Sequence, residues 1–91
     1  MQCRIDIQKV VPAAFQAMLS LETYVQRMWN AEPLLLGLVK MRASQINGCA
    51  YCIDMHSKDA RAHGETEQRL YALNAWKETP FFSDRERAAL L

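Results

Sequence analysis

The chain has 91 residues, apolar at half its positions, and a formal net charge of +1. That composition suits one globular domain with a modest core and argues against disorder. Near neutrality, with arginines scattered apart from the mixed-sign run Asp84-Arg85-Glu86-Arg87, removes the electrostatic case for nucleic acid. The longest apolar run, Leu34 to Val39, is six residues, against the ~20 that a membrane span needs. Arg4, Asp6 and Lys9 stand where a secretory signal would need an apolar stretch, so export by that route is not expected. Three cysteines are an odd number for a disulfide framework. The expected compartment is therefore the cytoplasm, with Cys49 and Cys52 redox-active or metal-binding and Cys3 a bystander thiol.

Residues 1–10 alternate weakly through Cys3, Ile5 and Ile7, the pattern of an extended arm or short strand. Pro12 suits the first position of a helix, where its missing N–H costs nothing. Phe15, Met18, Leu19, Val25, Met28 and Trp29 then recur at helical spacing to about Asn30. Asn30-Ala31-Glu32-Pro33 breaks that helix and starts the next, again with proline at its head. Leu34 to Ile46 is apolar on most sides, the mark of a helix buried in a core or an interface. Asn47-Gly48 signals a turn, with Asn47 the expected N-cap of a helix from Cys49 to His63, and Gly64 fits the position that closes it. Thr66 caps a further helix carrying Leu70, Leu73, Ala75 and Trp76 and ending at Pro80. Ser83 and Glu86 have capping-box spacing ahead of Ala88-Ala89-Leu90-Leu91. That last helix has a start and no stop, so the expectation is that the natural chain continues or that its leucines dock on another subunit. The reading is a single all-α domain over residues 1–91, without strands for a thioredoxin-type sheet. Trp29, Trp76, Phe81 and Phe82 are expected as core or interface aromatics. His63 is expected to bond the last carbonyls of its helix.

Cys49, Cys52 and His56 fall at i, i+3 and i+7, one face of a helix. The helix dipole offers Cys49 about 0.3–1 kcal/mol. An imidazolium ~4 Å from a thiolate is worth roughly 4 kcal/mol at an effective dielectric of about 20. On these grounds Cys52 is the expected nucleophile and Cys49 the thiol that closes a disulfide on it, with His56 moving protons. Zinc is the competing reading, with Cys49, Cys52 and His56 as ligands and a fourth from Cys3, His63 or Asp59. Haem attachment fails because Ile53, not histidine, follows Cys52. Asp54 and Asp59 fall off the cysteine face and are expected to be solvated.

The run from Leu38 to His56, centred on Asn47-Gly48-Cys49-Ala50-Tyr51-Cys52-Ile53-Asp54-Met55-His56, resembles the carboxymuconolactone decarboxylase superfamily in its alkylhydroperoxidase D-like (AhpD-like) branch. The likeness continues through Ala60-Arg61, Gly64-Glu65, Arg69-Leu70-Tyr71, Ala75-Trp76, Phe81 and Glu86 to Leu90. It implies an AhpD-like helical bundle assembled as a homo-oligomer, a trimer or hexamer. It also implies a thiol peroxidase acting on hydroperoxides, with no cofactor and no resident metal. By that resemblance Cys52 is peroxidatic, Cys49 resolving and His56 part of a proton relay. The regenerating partner is a dithiol, thioredoxin-like or lipoyl-bearing. The family domain usually runs on past the point where this chain stops. Twelve residues before the first cysteine the family motif carries a glutamate that completes the relay; this chain has Gly37 there. Glu32 lies five residues earlier, about 140° round the helix, and is a poor substitute. Two other readings stand beside this one: a lactone decarboxylase, for which a dithiol has no evident use, and a non-enzymatic redox or metal-binding module.

Overall fold

The structure, a computed structural model, describes residues 4–29 and 32–91. Cys3, and the Asn30-Ala31 half of the expected break, lie outside them. The chain divides into two compact units, residues 1–31 and 32–91. All regular structure among the described residues is helical.

In the first unit, α1 is a single turn, Ile7–Val10, where the alternation suggested an extended segment. The reason is local. Asp6 takes the N–H of Lys9 on its carboxylate, and such a cap outweighs an alternation only a few residues long. Helix α2 runs Pro12–Met28 with proline in its first turn. It buries no residue at all. Phe15 and Val25 are half-buried, whereas Met18, Leu21 and Met28 are 61%, 64% and 65% exposed.

The second unit holds α3 (Pro33–Asn47), α4 (Ala50–Ala62), α5 (Glu67–Ala72), a 3₁₀ segment (Leu73–Glu78) and α6 (Asp84–Leu90). Helix α3 is the hub, packed chiefly on α4 and also on α6 and the 3₁₀ segment. Its inward residues Leu38 and Met41 meet Ala60, Leu70, Leu73, Trp76, Phe82 and Leu90, with Ile53 and Phe81 packed alongside. Leu38 and Leu73 are fully enclosed, and burying a leucine contributes about 1.5–3 kcal/mol. The aromatic expectation holds for Trp76 and Phe82, both buried, while Trp29 is 41% exposed. Leu34, Val39 and Ile46 stay exposed, so the apolar run is wider than the core it serves.

The helix expected to reach Pro80 divides in two. Helix α5 ends at Ala72 and a 3₁₀ segment follows, with Ala75 out of helical conformation at φ −114°, ψ 34°. Thr66 caps α5 by accepting from Arg69 N–H, and Ser83 and Glu86 form the expected reciprocal box at the start of α6.

A polar clip joins these short helices. Arg69 lies between two carboxylates: Glu65, only 3% exposed and 2.8 Å from the Arg69 Nε, and Glu86. The same guanidinium donates to the Phe81 carbonyl at 3.1 Å and stacks over Phe82 at 5.0 Å. Arg87 does similar work for the 3₁₀ segment, donating to the carbonyls of Trp76, Lys77 and Thr79. Glu32, at the head of α3, is bound by Arg85 through two bonds of 2.9 and 2.8 Å.

Burial opposes ionisation of Glu86, but Arg69 and the bonds from Ser83 outweigh it and hold the carboxyl below its ordinary value. A depressed folded-state pKa gives stability that is present above the ordinary carboxylate value and fades as pH falls through the folded one. Thermal melts against pH should therefore show an acid-side loss of stability that Glu86→Gln flattens. Arg69→Ala, which leaves two partly enclosed carboxylates without their cation, should cost about 1.5–3 kcal/mol at neutral pH. A melt unchanged in both variants would refute the clip.

Candidate thiol site

The site is positioned by the turn between α3 and α4, which is only Gly48 and Cys49 long. Gly48 takes the left-handed conformation at φ 65°, which costs a residue with a Cβ about 1–2 kcal/mol. With that residue left-handed, the Gly48 N–H reaches Gln45 O at 3.2 Å and the Cys49 N–H reaches Ser44 O at 3.1 Å, closing α3 in the pattern common at helix C-termini. Cys49 is thus the residue just past the end of α3. It is also the N-cap of α4: its backbone is extended at φ −87°, ψ 100°, and its sulfur accepts the Cys52 N–H at 3.2 Å. The expected N-cap, Asn47, lies instead inside the last turn of α3. The left-handed glycine ends one helix a residue later than the asparagine cap assumed, and the first extended residue is the cysteine.

Cys49 and Cys52 are joined by a disulfide across a Cα separation of 5.3 Å. Both residues are half-buried, reachable from solvent and not sealed in the core. His56, also half-buried, follows Cys52 by four residues and so sits one turn on along the same side of α4. The three residues singled out by spacing therefore occupy the first two turns of one helix. Gly64, at φ 97°, closes α4: its N–H bonds Arg61 O at 3.0 Å and the Glu65 N–H bonds Ala60 O at 3.0 Å. His63 lies against the Asp59 carbonyl at 2.8 Å, as expected of a histidine at a helix C-terminus. Asp54 and Asp59 are exposed, with Asp54 paired to Lys58 at 3.0 Å. For zinc, the two thiols are already bonded to each other, and among the described residues no three His, Cys, Asp or Glu side chains form a metal-binding group.

Gly37 looks across at the same helix. A Cβ built on it would lie 3.6 Å from the Ala60 Cβ, an ordinary packing distance, and Ala60 is one turn beyond His56 on that side of α4. The position where the motif would carry a glutamate thus faces the stripe that bears His56. Glu32 cannot stand in for it, because Arg85 already holds it.

A cleft of about 500 Å³ opens in the same unit, floored by Met41, Ile53, Leu70 and Tyr71 and edged by Gln45 and Lys58; neither cysteine nor His56 lines it. None of Trp29, Trp76, Phe81 and Phe82, expected as core or interface aromatics, lines it. The Glu65–Arg69–Glu86 clip is the part that reading the sequence missed. Glu65 and Arg69 were visible as an i, i+4 pair, but Glu86 is 17 residues further on from Arg69 and nothing local points to it.

The carboxymuconolactone decarboxylase family model matches residues 12–91. The chain is 44% identical over 90 residues to YdfG of Bacillus subtilis, an uncharacterised protein, covering 99% of this chain and 60% of that one. It is 34% identical over 59 residues to the uncharacterised YnjA of Escherichia coli, covering 65% of this chain and 32% of the other. A crystal structure from Agrobacterium tumefaciens superposes with a TM-score of 0.89 at 44% identity, over 98% of this chain and 60% of that one. That protein is described as one of unknown function and a candidate AhpD antioxidant defence protein. The chain thus spans 60% of the length of both its Bacillus and its Agrobacterium relatives.

Titration of the denatured protein with a thiol reagent should show two more thiols per chain after reduction than before it, those of Cys49 and Cys52. Three thiols in the protein as isolated under air would contradict the bonded pair.

Proposed function

From the chain's place in the carboxymuconolactone decarboxylase family, to which it belongs, we propose that it is an AhpD-like thiol peroxidase that reduces hydroperoxides through Cys49 and Cys52. The observation that carries the proposal is the disulfide closed inside the first turn of α4, with His56 one turn beyond. A pair that bonds without unwinding its helix can cycle without refolding.

In this reading His56 takes the proton of the Cys52 thiol. The Cys52 thiolate attacks the terminal oxygen of the hydroperoxide, the O–O bond breaks, and the departing alkoxide takes a proton from the imidazolium. Cys52 is left as a sulfenic acid. Cys49 attacks that sulfur, the S–O bond breaks, and hydroxide leaves as water with the disulfide in place. An external dithiol, thioredoxin-like or lipoyl-borne, returns the two electrons by exchange. The cycle suits the cytoplasm, where thiol reductants are kept available. Among the described residues no helix is long and apolar enough to cross a membrane.

Gly37 is the relay's weak point, since no carboxylate stands at that position. The 3.6 Å gap to Ala60 leaves room for the first carbon of a longer side chain, and replacing a mid-helix glycine costs the helix nothing. Stopped-flow mixing of reduced protein with an organic hydroperoxide should show Cys52 oxidation that Cys52→Ser abolishes and His56→Ala slows on the order of a hundredfold. Gly37→Glu should speed it by roughly tenfold or more, as an orienting carboxylate does for a histidine base. Equal peroxide consumption by Cys52→Ser and wild type would end the proposal.

We also infer that the working form is a homo-oligomer, a trimer or hexamer. Ala14, Met18, Leu21, Val25 and Met28 step by four and three along α2, the repeat of a helix that packs on another helix. A helix of 17 residues that buries none of them is marginal in water by itself. Light scattering should give a multiple of the 10.5 kDa chain mass, and Met18→Glu with Leu21→Glu should lower it. A wild-type monomer would refute the assembly.

A further inference from the structure

The disulfide is not symmetric. The sulfur of Cys49 accepts the Cys52 N–H at 3.2 Å and caps a helix of 13 residues, α4, whereas the sulfur of Cys52 lies within the first turn and caps nothing. A sulfur in a disulfide is a weak acceptor. A thiolate at the same place is a strong one and carries a full charge at the positive end of the helix. The cap therefore stabilises Cys49 far more as a thiolate than as a disulfide sulfur, the condition for a depressed thiol pKa and a good leaving group. Dipole strength alone, as weighed from the sequence, leaves out this direct bond, because it depends on the cysteine itself being the cap.

We propose that Cys49 is the leaving and charge-bearing sulfur of the pair, and that reductants attack Cys52. This rests on the dithiol regeneration step of the function proposed above. The incoming thiolate forms a bond to Cys52 Sγ; the Cys49–Cys52 bond breaks, and its electron pair stays on Cys49 Sγ, held by the Cys52 N–H. The second thiol of the reductant then attacks its own sulfur in the mixed disulfide. Cys52 is expelled, and the reductant leaves as a disulfide. Two electrons and one proton, that of the second thiol, pass from the reductant to the protein, leaving Cys52 as the thiol and Cys49 as the thiolate. Run the other way, the same capped thiolate is the nucleophile that attacks sulfenylated Cys52. Cys52 thus carries every covalent adduct of the cycle, and Cys49 carries the charge whenever the bond between the two is opened or closed.

The test uses oxidised wild-type protein and 2-mercaptoethanol, with no peroxide present. After brief reaction, acid quench and maleimide capping, mass-spectrometric fragmentation of the tryptic peptide 43–58, which holds both cysteines, locates each modification. The expected result is mercaptoethanol on Cys52 and maleimide on Cys49, favoured by roughly tenfold or more, the factor one pKa unit represents. In the reduced protein, the pH profile of alkylation should place the Cys49 midpoint below that of an ordinary thiol, near 8.5. Adducts found mainly on Cys49, or shared evenly, overturn the inference and leave peroxide turnover standing. Loss of peroxide turnover with the adduct on Cys52 does the reverse.

Discussion

One left-handed residue organises the chemistry of this chain. With Gly48 at φ 65°, α3 stops within a single residue and the next one begins α4, so the two packed helices are joined by the shortest of links. Cys49 has no freedom in that link. Its N–H closes α3 and its sulfur opens α4. Because the backbone is held at both ends, the separation from Cys52 is a property of the turn and not of side-chain chance. A disulfide at this place follows from helix geometry.

The rest of the second unit keeps that turn still. Helix α3 carries the enclosed Leu38 and Met41 into the core, and α4 returns along it. Helices α5 and α6 are short, and a short helix has little stability by itself. They are held by apolar contacts from Leu70, Leu73 and Leu90 and by the guanidinium of Arg69, which satisfies two carboxylates and a carbonyl at once. Glu65 deserves its place in that cluster because a carboxylate only 3% exposed is costly to bury without a cation. The disulfide at one end of α4 is thus anchored by electrostatics beyond its other end.

The contrast between Gly37 and Cys49 shows how differently two positions can contribute. Cys49 acts through a backbone amide that any residue at position 52 other than proline would supply. Gly37 offers α4 only close approach to Ala60, and the histidine on that face gains no carboxylate from it. The chain has the bonded cysteine pair in place, while position 37 brings no carboxylate to that face.

Much of this was legible in the residues themselves. Helical periodicity, the prolines that begin α2 and α3, the caps at Thr66 and Ser83 and the closing Gly64 all depend on neighbours within four residues, and local rules decide them. The spacing of Cys49 and Cys52, which bond to each other, is local in the same sense. What tertiary structure decided was anything requiring two distant segments or one exact backbone angle. Asn47 gave way to Cys49 as a cap because Gly48 turned left-handed a residue later than the asparagine rule assumes. The helix after Thr66 changed to 3₁₀ geometry at Leu73 while bringing Leu73 and Trp76 into the core. Arg69 found Glu86 only once α6 was packed. The sequence by itself determined most of the helices and the pair of cysteines that bond, since those are short-range matters of steric preference and spacing. Only the folded chain decided which of the two sulfurs is capped, because a hydrogen bond exists by position and not by composition.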